Sequence, residues 1–256
     1  MNGAYVSGLG MWTPGFRDVE SWAADAPDAA ITAPVADLLP VPLRRRVTPL
    51  TCMAADVATQ AAREAGADLA ATPIVLGSAY GEVATAVAMM SSFREAEGLP
   101  SPTRFHNSVH NTALAYLSIA TGNRGFSTAL AAGAATPAAA LVEAWALLAE
   151  RGGEVLLVFV DEPPPAPFAP ANPYPAAAAA LHLAFTPGPT TKALLSGLRR
   201  AAAAPCTPLV GGLHHHPCAG AFALVAAIAR RARGAVSLGP FDAGGWEIHV
   251  EPAGDA

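Results

Sequence analysis

The chain has 256 residues, of which 52% are hydrophobic and only 14% charged, and its formal net charge is −5. The charged fraction lies well below the value of about 25% that is usual for soluble proteins. A net negative charge argues against nucleic acid binding, which needs a basic face. The one basic run, Arg44-Arg45-Arg46, is typical of a solvated helix start. So little charge predicts that part of the surface is buried in an oligomer.

The chain has three cysteines, Cys52, Cys206 and Cys218, at irregular spacing. An odd, irregular set is no disulfide framework and suits a reducing compartment. The first twelve residues lack the basic and apolar segments of a signal peptide, and no stretch approaches the ~20 apolar residues of a spanning helix. We therefore predict a cytoplasmic protein without a membrane span.

The first third of the chain reads as alternating strand and helix. Predicted elements are a strand at 5–9, a short helix at 19–24 within an irregular cap, an amphipathic helix at 47–65 and a buried strand at 73–78. The turn Gly77-Ser78-Ala79-Tyr80-Gly81 then leads into a helix at 83–96. This turn lacks the full dinucleotide or P-loop pattern, so it predicts a tight strand-to-helix connection without phosphate binding.

A central segment, residues 101–143, organises the rest. It predicts a loop, a helix at 110–121 with apolar Leu114, Leu117 and Ile119, and a buried strand at 126–130. An almost side-chain-free turn at 131–135 precedes a helix that begins at Thr136-Pro137, with Thr136 as N-cap. Strand, tight turn and helix N-terminus form the geometry of a nucleophile elbow. The tip of this elbow carries no nucleophile.

The remaining elements are less regular. A buried strand at 154–160 precedes a proline-rich loop at 163–175 and an edge or return strand at 179–185. We then predict a strand or helix at 192–204, a strand-like piece at 208–213, a helix that opens at 213–220 and runs to Arg233, and strands at 235–238 and 246–251. This order predicts an α/β fold with helices on both faces of a sheet.

The quoted turn at 77–81, the run SPTRFHNSVHNTALAYLSIATG at 101–122 and the elbow through Glu143 resemble the β-ketoacyl synthases of the thiolase-like superfamily. The chain is most similar in type to the short chain-length factors that accompany a true synthase, as in aryl polyene biosynthesis. The resemblance implies a thiolase-like layered fold. It implies a complete N-terminal β-α-β-α-β unit at 1–185 and a shortened, degenerate C-terminal half at 186–256, packed on the same core.

The resemblance also implies a lost active site. The synthase cysteine position falls on Ala134, whose methyl group cannot attack a thioester. His216 loosely resembles the second of two synthase histidines, and the first has no clear match. Gly244-Gly245-Trp246 stands where synthases carry a glycine-rich loop, without the usual asparagine. The resemblance therefore implies a non-catalytic subunit that needs no cofactor and no metal.

A non-catalytic member implies a heterodimer with an active β-ketoacyl synthase, which itself meets the acyl carrier protein. By resemblance, the strand Phe126, Ser127, Thr128, Ala129 and Leu130 pairs across the two-fold axis. His106, Asn107, His110 and Asn111 are expected as polar groups of the interface or tunnel mouth, or as local caps. Met89, Met90 and Phe93 are candidates to block the tunnel, although such a stripe is also typical of plain core.

Three alternatives remain open. His214-His215-His216 with Cys218 could suggest a metal site, but adjacent residues rarely bind one ion, so a partly exposed loop at a helix N-terminus is favoured. Cys218 there could have a lowered pKa and act with His216 in a free-standing acyl-transfer or hydrolase enzyme. A homodimeric scaffold without a synthase is the third. We expect Cys52 in the core and find no paired base for Ser78 or Ser127.

Overall fold

The fold is taken from a computed structural model and is described for residues 3–94, 98–99, 101–202, 209–241 and 244–254. The strands are β1 (Ala4–Trp12), β2 (Ile74–Gly77), β3 (Ser127–Leu130), β4 (Glu154–Asp161), β5 (Ala177–Ala184), β6 (Ala193–Ala201), β7 (Gly234–Gly239) and β8 (Gly245–Pro252). The helices are α1 (Val19–Ala23), α2 (Val41–Arg44), α3 (Pro49–Ala65), α4 (Val83–Ser92), α5 (Pro102–His106), α6 (Thr112–Thr121), α7 (Thr136–Arg151) and α8 (Ala219–Ala229). Within the described residues no helix has the length and apolarity needed to cross a membrane.

All these strands form one mixed sheet in the order β3-β2-β4-β5-β1-β6-β8-β7. β2 is parallel to β3 and β4, and the other pairs are antiparallel. The strand predicted at 179–185 is a return strand, antiparallel to β4. It is not an edge strand, because β5 is bonded on its other side to β1. The two edges of the sheet are β3 and β7.

Helices cover both faces of this sheet, as predicted. One face packs against α7 and α8, with Leu148 and Phe222 in its core. The other packs against α3 and α6, with Met53 and Leu117 in its core. Successive residues of β4 alternate between the two cores, which explains why its sequence is a continuous apolar run.

Several predicted boundaries were wrong. The piece at 208–213 is not a strand: residues 210–215 form a 3-10 turn in which Gly211 and Gly212 have φ of +72° and +75°. Left-handed backbone cannot continue a β-ladder. Pro208 and Cys206 lie outside the described residues. α8 ends at Ala229, before Arg233, and α5 forms within a segment expected to be a loop.

Other differences lie within correctly predicted elements. The helix predicted at 83–96 ends at Ser92; Phe93 and Arg94 form a turn, and residues 95–97 lie outside the described part. The segment at 192–204 contains strand β6, not a helix. Ile119 is 61% exposed, so it does not belong to the buried stripe of α6. Cys52 is half-buried at the margin of the core and not within it.

Thr136 does not cap α7 as predicted, because it is the first residue of that helix and Ala135 occupies the N-cap position. Its hydroxyl instead accepts a hydrogen bond from the backbone N–H of Ala132 (3.0 Å) and donates one to the carbonyl of Gly133 (2.7 Å). Thr136 therefore closes the turn that precedes the helix.

The carboxylate of Asp161, at the end of β4, joins three parts of the fold. Its Oδ1 accepts from the Ser78 hydroxyl (2.8 Å) and the Tyr80 N–H (2.9 Å), and its Oδ2 from the Ala79 N–H (2.8 Å) and the Cys218 thiol (3.4 Å). Asp161 is completely buried. Burial raises the pKa of this carboxyl, and the hydrogen bonds oppose the rise. The network fixes the turn after β2 against β4 and the start of α8.

A second buried carboxyl, Glu82, holds the start of α4 against α3. Its Oε1 accepts hydrogen bonds from the hydroxyls of Thr48 (2.8 Å) and Thr51 (3.2 Å). Its Oε2 is buried and has no hydrogen-bond partner among the described residues. Burial raises the pKa of Glu82 to about 7, and the charge of Glu162 adds to the rise.

We predict that Asp161→Asn lowers the free energy of unfolding by about 2–3 kcal/mol. An asparagine side chain has only one acceptor oxygen. Its NH2 group would face donors that now bond to the second carboxylate oxygen, and those donors would lose their partner. Denaturant unfolding measures the loss. Asp37→Asn is the matched control, because the Asp37 side chain is 75% exposed and pairs only weakly at the surface. Equal losses in the two variants would contradict the role given to Asp161.

The free energy of unfolding of the wild type should fall as pH rises from about 5 to about 8, and we predict that Glu82→Gln abolishes this pH dependence. The folded-state pKa of about 7 exceeds the ordinary 4.5, so the folded protein keeps a proton that the unfolded chain has lost. The wild-type free energy of unfolding therefore falls as pH rises through this window, by a few kcal/mol at most, on the order of 1.4 kcal/mol per pKa unit. Unfolding curves at the two pH values measure it; parallel pH profiles for both proteins would contradict the assignment.

Candidate functional site

The elbow lies at the end of β3. The strand leads into a 3-10 turn, Gly133–Ala135, and then into the 16-residue helix α7. Gly133 has φ of +56°, which lets the chain reverse in so short a distance. Ala134 is solvent-exposed at the tip. The strand, turn and helix thus have the order that the sequence predicts, and a methyl group stands where an elbow presents its reactive side chain.

A pocket of about 440 Å³ opens in front of this tip. Its walls come from the turn after β2, the elbow, the proline-rich loop, the segment before α8 and the segment after β7. The lining residues are Tyr80, Ala134, Pro170, Ala171, Asn172, Tyr174, His214, His215, His216, Pro217, Pro240 and Phe241. The structure therefore brings His216 to the same pocket as Ala134, although 82 residues separate them in the sequence.

Both ring nitrogens of His216 form hydrogen bonds to the backbone. Its Nδ1 accepts the backbone N–H of Cys218 (3.0 Å), so the proton of the neutral ring is on Nε2, which donates to the carbonyl of Asp161 (3.2 Å). Burial lowers the pKa of His216 to about 3. The ring packs edge-on against Tyr174 and Phe222. These contacts give His216 a packing role and leave it unable to accept a proton from a ligand.

Cys218 is fully buried, and its thiol donates to Asp161. Burial raises the pKa of the thiol well above its ordinary value, and the Asp161 carboxylate raises it further. The lowered pKa expected from the helix N-terminus is therefore wrong, because desolvation and a neighbouring negative charge outweigh it. His216 contacts the backbone N–H of Cys218 and not its sulfur, so the two do not form a thiol–imidazole pair.

The other two histidines of the run are exposed at the rim of the pocket. The rings of His214 and His215 lie with centroids 4.0 Å apart, while His216 points inward. In the described part of the chain no three or more His, Cys, Asp or Glu side chains are grouped so that they could hold a metal ion.

A second hollow, of about 360 Å³, lies at the β3 edge of the sheet. It brings together several predicted interface residues: His110, Asn111, Ser127, Thr128 and Ala129. These residues surround a strand that is paired on one side only, with β2. Beside them Phe126 and Leu130 are half-buried at the ends of this edge.

The remaining predicted residues lie elsewhere. Asn107 is buried; its amide donates to the carbonyl of Arg46 (2.7 Å) and accepts from the Tyr116 hydroxyl (3.1 Å). His106 is exposed and packs edge-on against Tyr116. Met89 is half-buried on α4, and Phe93 follows it with 55% exposure. Ser92 is the only buried residue of this largely apolar helix.

The turn at 77–81 was predicted, but its contacts with Asp161 and His110, which connect the pocket to the edge hollow, were not. The Ser78 hydroxyl donates to Asp161, and His110 Nε2 lies 2.9 Å from the Ser78 carbonyl oxygen. Gly81 has φ of +55°, and a Cβ there would come within 2.6 Å of His110 Cδ2. Tyr80, between them, lines the pocket. The available signal was an acidic residue directly after one buried strand and a serine directly after another.

Several solved structures share this fold. The ketosynthase (ApeO) in complex with its chain length factor (ApeC) from Xenorhabdus doucetiae aligns with 21% identity and a TM-score of 0.76, over 97% of this chain and 100% of that chain. The ishigamide ketosynthase/chain length factor aligns with 15% identity and a TM-score of 0.74, over 98% and 100%. The predicted thiolase-like α/β fold is confirmed.

A third similar structure is AntDE:AntF, a type II polyketide synthase acyl-carrier protein in complex with its ketosynthase. It has 11% identity and a TM-score of 0.75, over 98% of this chain and 99% of that chain. No curated protein matches the sequence significantly. The family model of the β-ketoacyl synthase N-terminal domain, however, matches residues 19–237, which is most of the chain. The chain therefore belongs to the β-ketoacyl synthase N-terminal domain family.

Proposed function

We propose that this protein is a non-catalytic subunit, a chain-length factor, that pairs with an active β-ketoacyl synthase in a type II polyketide-like pathway. The observation that carries the proposal is Ala134 at the tip of an intact elbow. Condensation begins with a thiolate that accepts the acyl chain, and a methyl group cannot form that bond. The elbow therefore keeps its backbone geometry but lacks a nucleophilic side chain.

The state of His216 supports the same reading. A synthase histidine must offer a ring nitrogen to the substrate, whereas both nitrogens of His216 are bonded to the backbone. The ring is neutral and buried, and the surrounding bonds hold it in place. The pocket therefore supplies no general base among its buried residues.

Two exposed features of the surface support the proposal that the chain binds a partner subunit. β3 leaves one side of its backbone unpaired at the sheet edge, and α4 buries almost none of its apolar side chains. Met90, Phe93 and Phe105 are about half exposed or more. An open strand edge and exposed apolar side chains each favour association with a partner. The resemblance to chain-length factors makes an active synthase the partner, and an acyl carrier protein then serves that partner.

The proposal also covers the cellular location, the pathway and the correspondence of the two parts of the chain to a synthase. We place the protein in the cytoplasm, because its irregularly spaced cysteines suit a reducing compartment, and in aryl polyene synthesis, on the basis of the resemblance. We further propose that residues 1–185 correspond to the N-terminal unit of a synthase and 186–256 to a shortened second half, which adds β6, β7 and β8 to the common sheet.

A free-standing enzyme that uses Cys218 and His216 is disfavoured by their geometry. We predict that Cys218→Ala leaves the product yield of the co-expressed pathway within about twofold of wild type, because the buried thiol is only one of the donors to Asp161. Product analysis of cultures that carry each variant measures this. Loss of product from a Cys218→Ala protein that still folds would revive the enzyme hypothesis.

We predict that Ala129→Pro prevents formation of the complex with an active β-ketoacyl synthase. The carbonyls of Phe126 and Leu130 bond to β2, so alternation along the strand directs the Ala129 N–H to the open side. Proline removes this donor without breaking the β2 ladder.

Co-purification of tagged protein with the synthase, read by native mass spectrometry, measures complex formation. Ala129→Val is the matched control, since it keeps the N–H and should still give a one-to-one complex. If wild type forms only homodimers, the scaffold alternative gains support. A proline variant that pairs as well as the valine variant would contradict the edge-strand interface.

A further inference from the structure

The pocket in front of Ala134 is open to solvent, although Ala134 itself cannot act as a nucleophile. Ala134 is exposed to it, and the cavity of about 440 Å³ has the size of a small-molecule site. The hydrogen-bond network holds two of its walls in place, because Asp161 fixes both the Tyr80 turn and the start of α8. A pocket with a fixed shape can retain a ligand even where it performs no chemistry.

Flat rings dominate the walls. Tyr80, Tyr174 and Phe241 contribute aromatic rings, and His214 and His215 add two imidazoles at the rim. Tyr80 is 49% exposed, so its ring has no complete cover within the chain. Aromatic walls of this kind favour flat unsaturated ligands, which stack face to face or edge to face.

Fixed charge is absent from the described lining of the pocket. Among the described residues that line it, none is Lys, Arg, Asp or Glu. The ring nitrogens of His216 are both occupied. Burial raises the pKa of the Tyr174 hydroxyl, and the charge of Asp161 behind this wall raises it further, so the fixed charge behind the wall is negative. A carboxylate ligand would meet repulsion and lose hydration without compensation.

We propose that this pocket binds an uncharged aromatic or conjugated group without forming a covalent bond. The ligand would stack on Tyr80 and Phe241 and occupy the space that Ala134 leaves open. This inference goes beyond the subunit role and does not depend on it, because the pocket is built from this chain alone.

Binding of 2-acetonaphthone to the purified full-length chain, measured by fluorescence titration and NMR, tests the proposal. We expect saturable binding, and about tenfold weaker binding of 2-naphthoate, which has the same rings and a negative charge. Tyr80→Leu should weaken binding of the ketone about fivefold by removing one stacking ring.

Ala134→Leu fills the pocket and should weaken binding at least about tenfold. Ala131→Leu is its matched control, since Ala131 is exposed but does not line the pocket. Tyr174→Phe should bind like wild type, because the Tyr174 hydroxyl is buried without a hydrogen-bond partner among the described residues. Thermal melting confirms that each variant folds.

Absence of ketone binding up to its solubility limit, equal binding of the naphthoate, or binding that Ala134→Leu does not change would each overturn the proposal. The synthase co-purification is scored separately. Ketone binding by a chain that never pairs would contradict only the subunit role, and pairing without ketone binding would contradict only the ligand site.

Discussion

The buried carboxylate of Asp161 is the constraint on which the pocket depends. It sits at the end of β4 and accepts hydrogen bonds from the turn after β2 and from Cys218 at the start of α8. A buried carboxylate is tolerated only when its oxygens are satisfied, so each of these donors is held in position by the cost of leaving the charge unpaired. The backbone position of Tyr80 follows from this arrangement, and the main-chain carbonyl of Asp161 accepts the hydrogen bond from His216 Nε2.

The same constraint explains how the elbow can lose its chemistry and keep its shape. A nucleophile contributes little to folding, and Thr136 closes the elbow turn through its own hydroxyl. His216 and Cys218, the two candidate catalytic residues of the sequence, are engaged by backbone and carboxylate partners. The pocket keeps its walls, and the sheet keeps an open strand at the β3 edge, while α4 leaves most of its apolar side chains only partly buried or exposed among the described residues.

Periodicity and turn chemistry were enough to predict most elements and the elbow, because those signals are local. Gly66 and Gly122 end α3 and α6 in left-handed conformation, as their sequence positions indicate. Contacts between distant residues could not be predicted in this way. The Ser78–Asp161 bond spans 83 residues, and nothing near either residue specifies the other. The central position of β5 is likewise a property of the assembled sheet.

The most direct test of the central claim is the distribution of acyl groups within the complex. The purified pair is incubated with an acyl carrier protein thioester, and each subunit is then weighed by intact-protein mass spectrometry. We expect the synthase subunit to gain the mass of one acyl group while this chain stays unmodified. Acylation of this chain at any residue would contradict the claim that it takes no covalent part in synthesis.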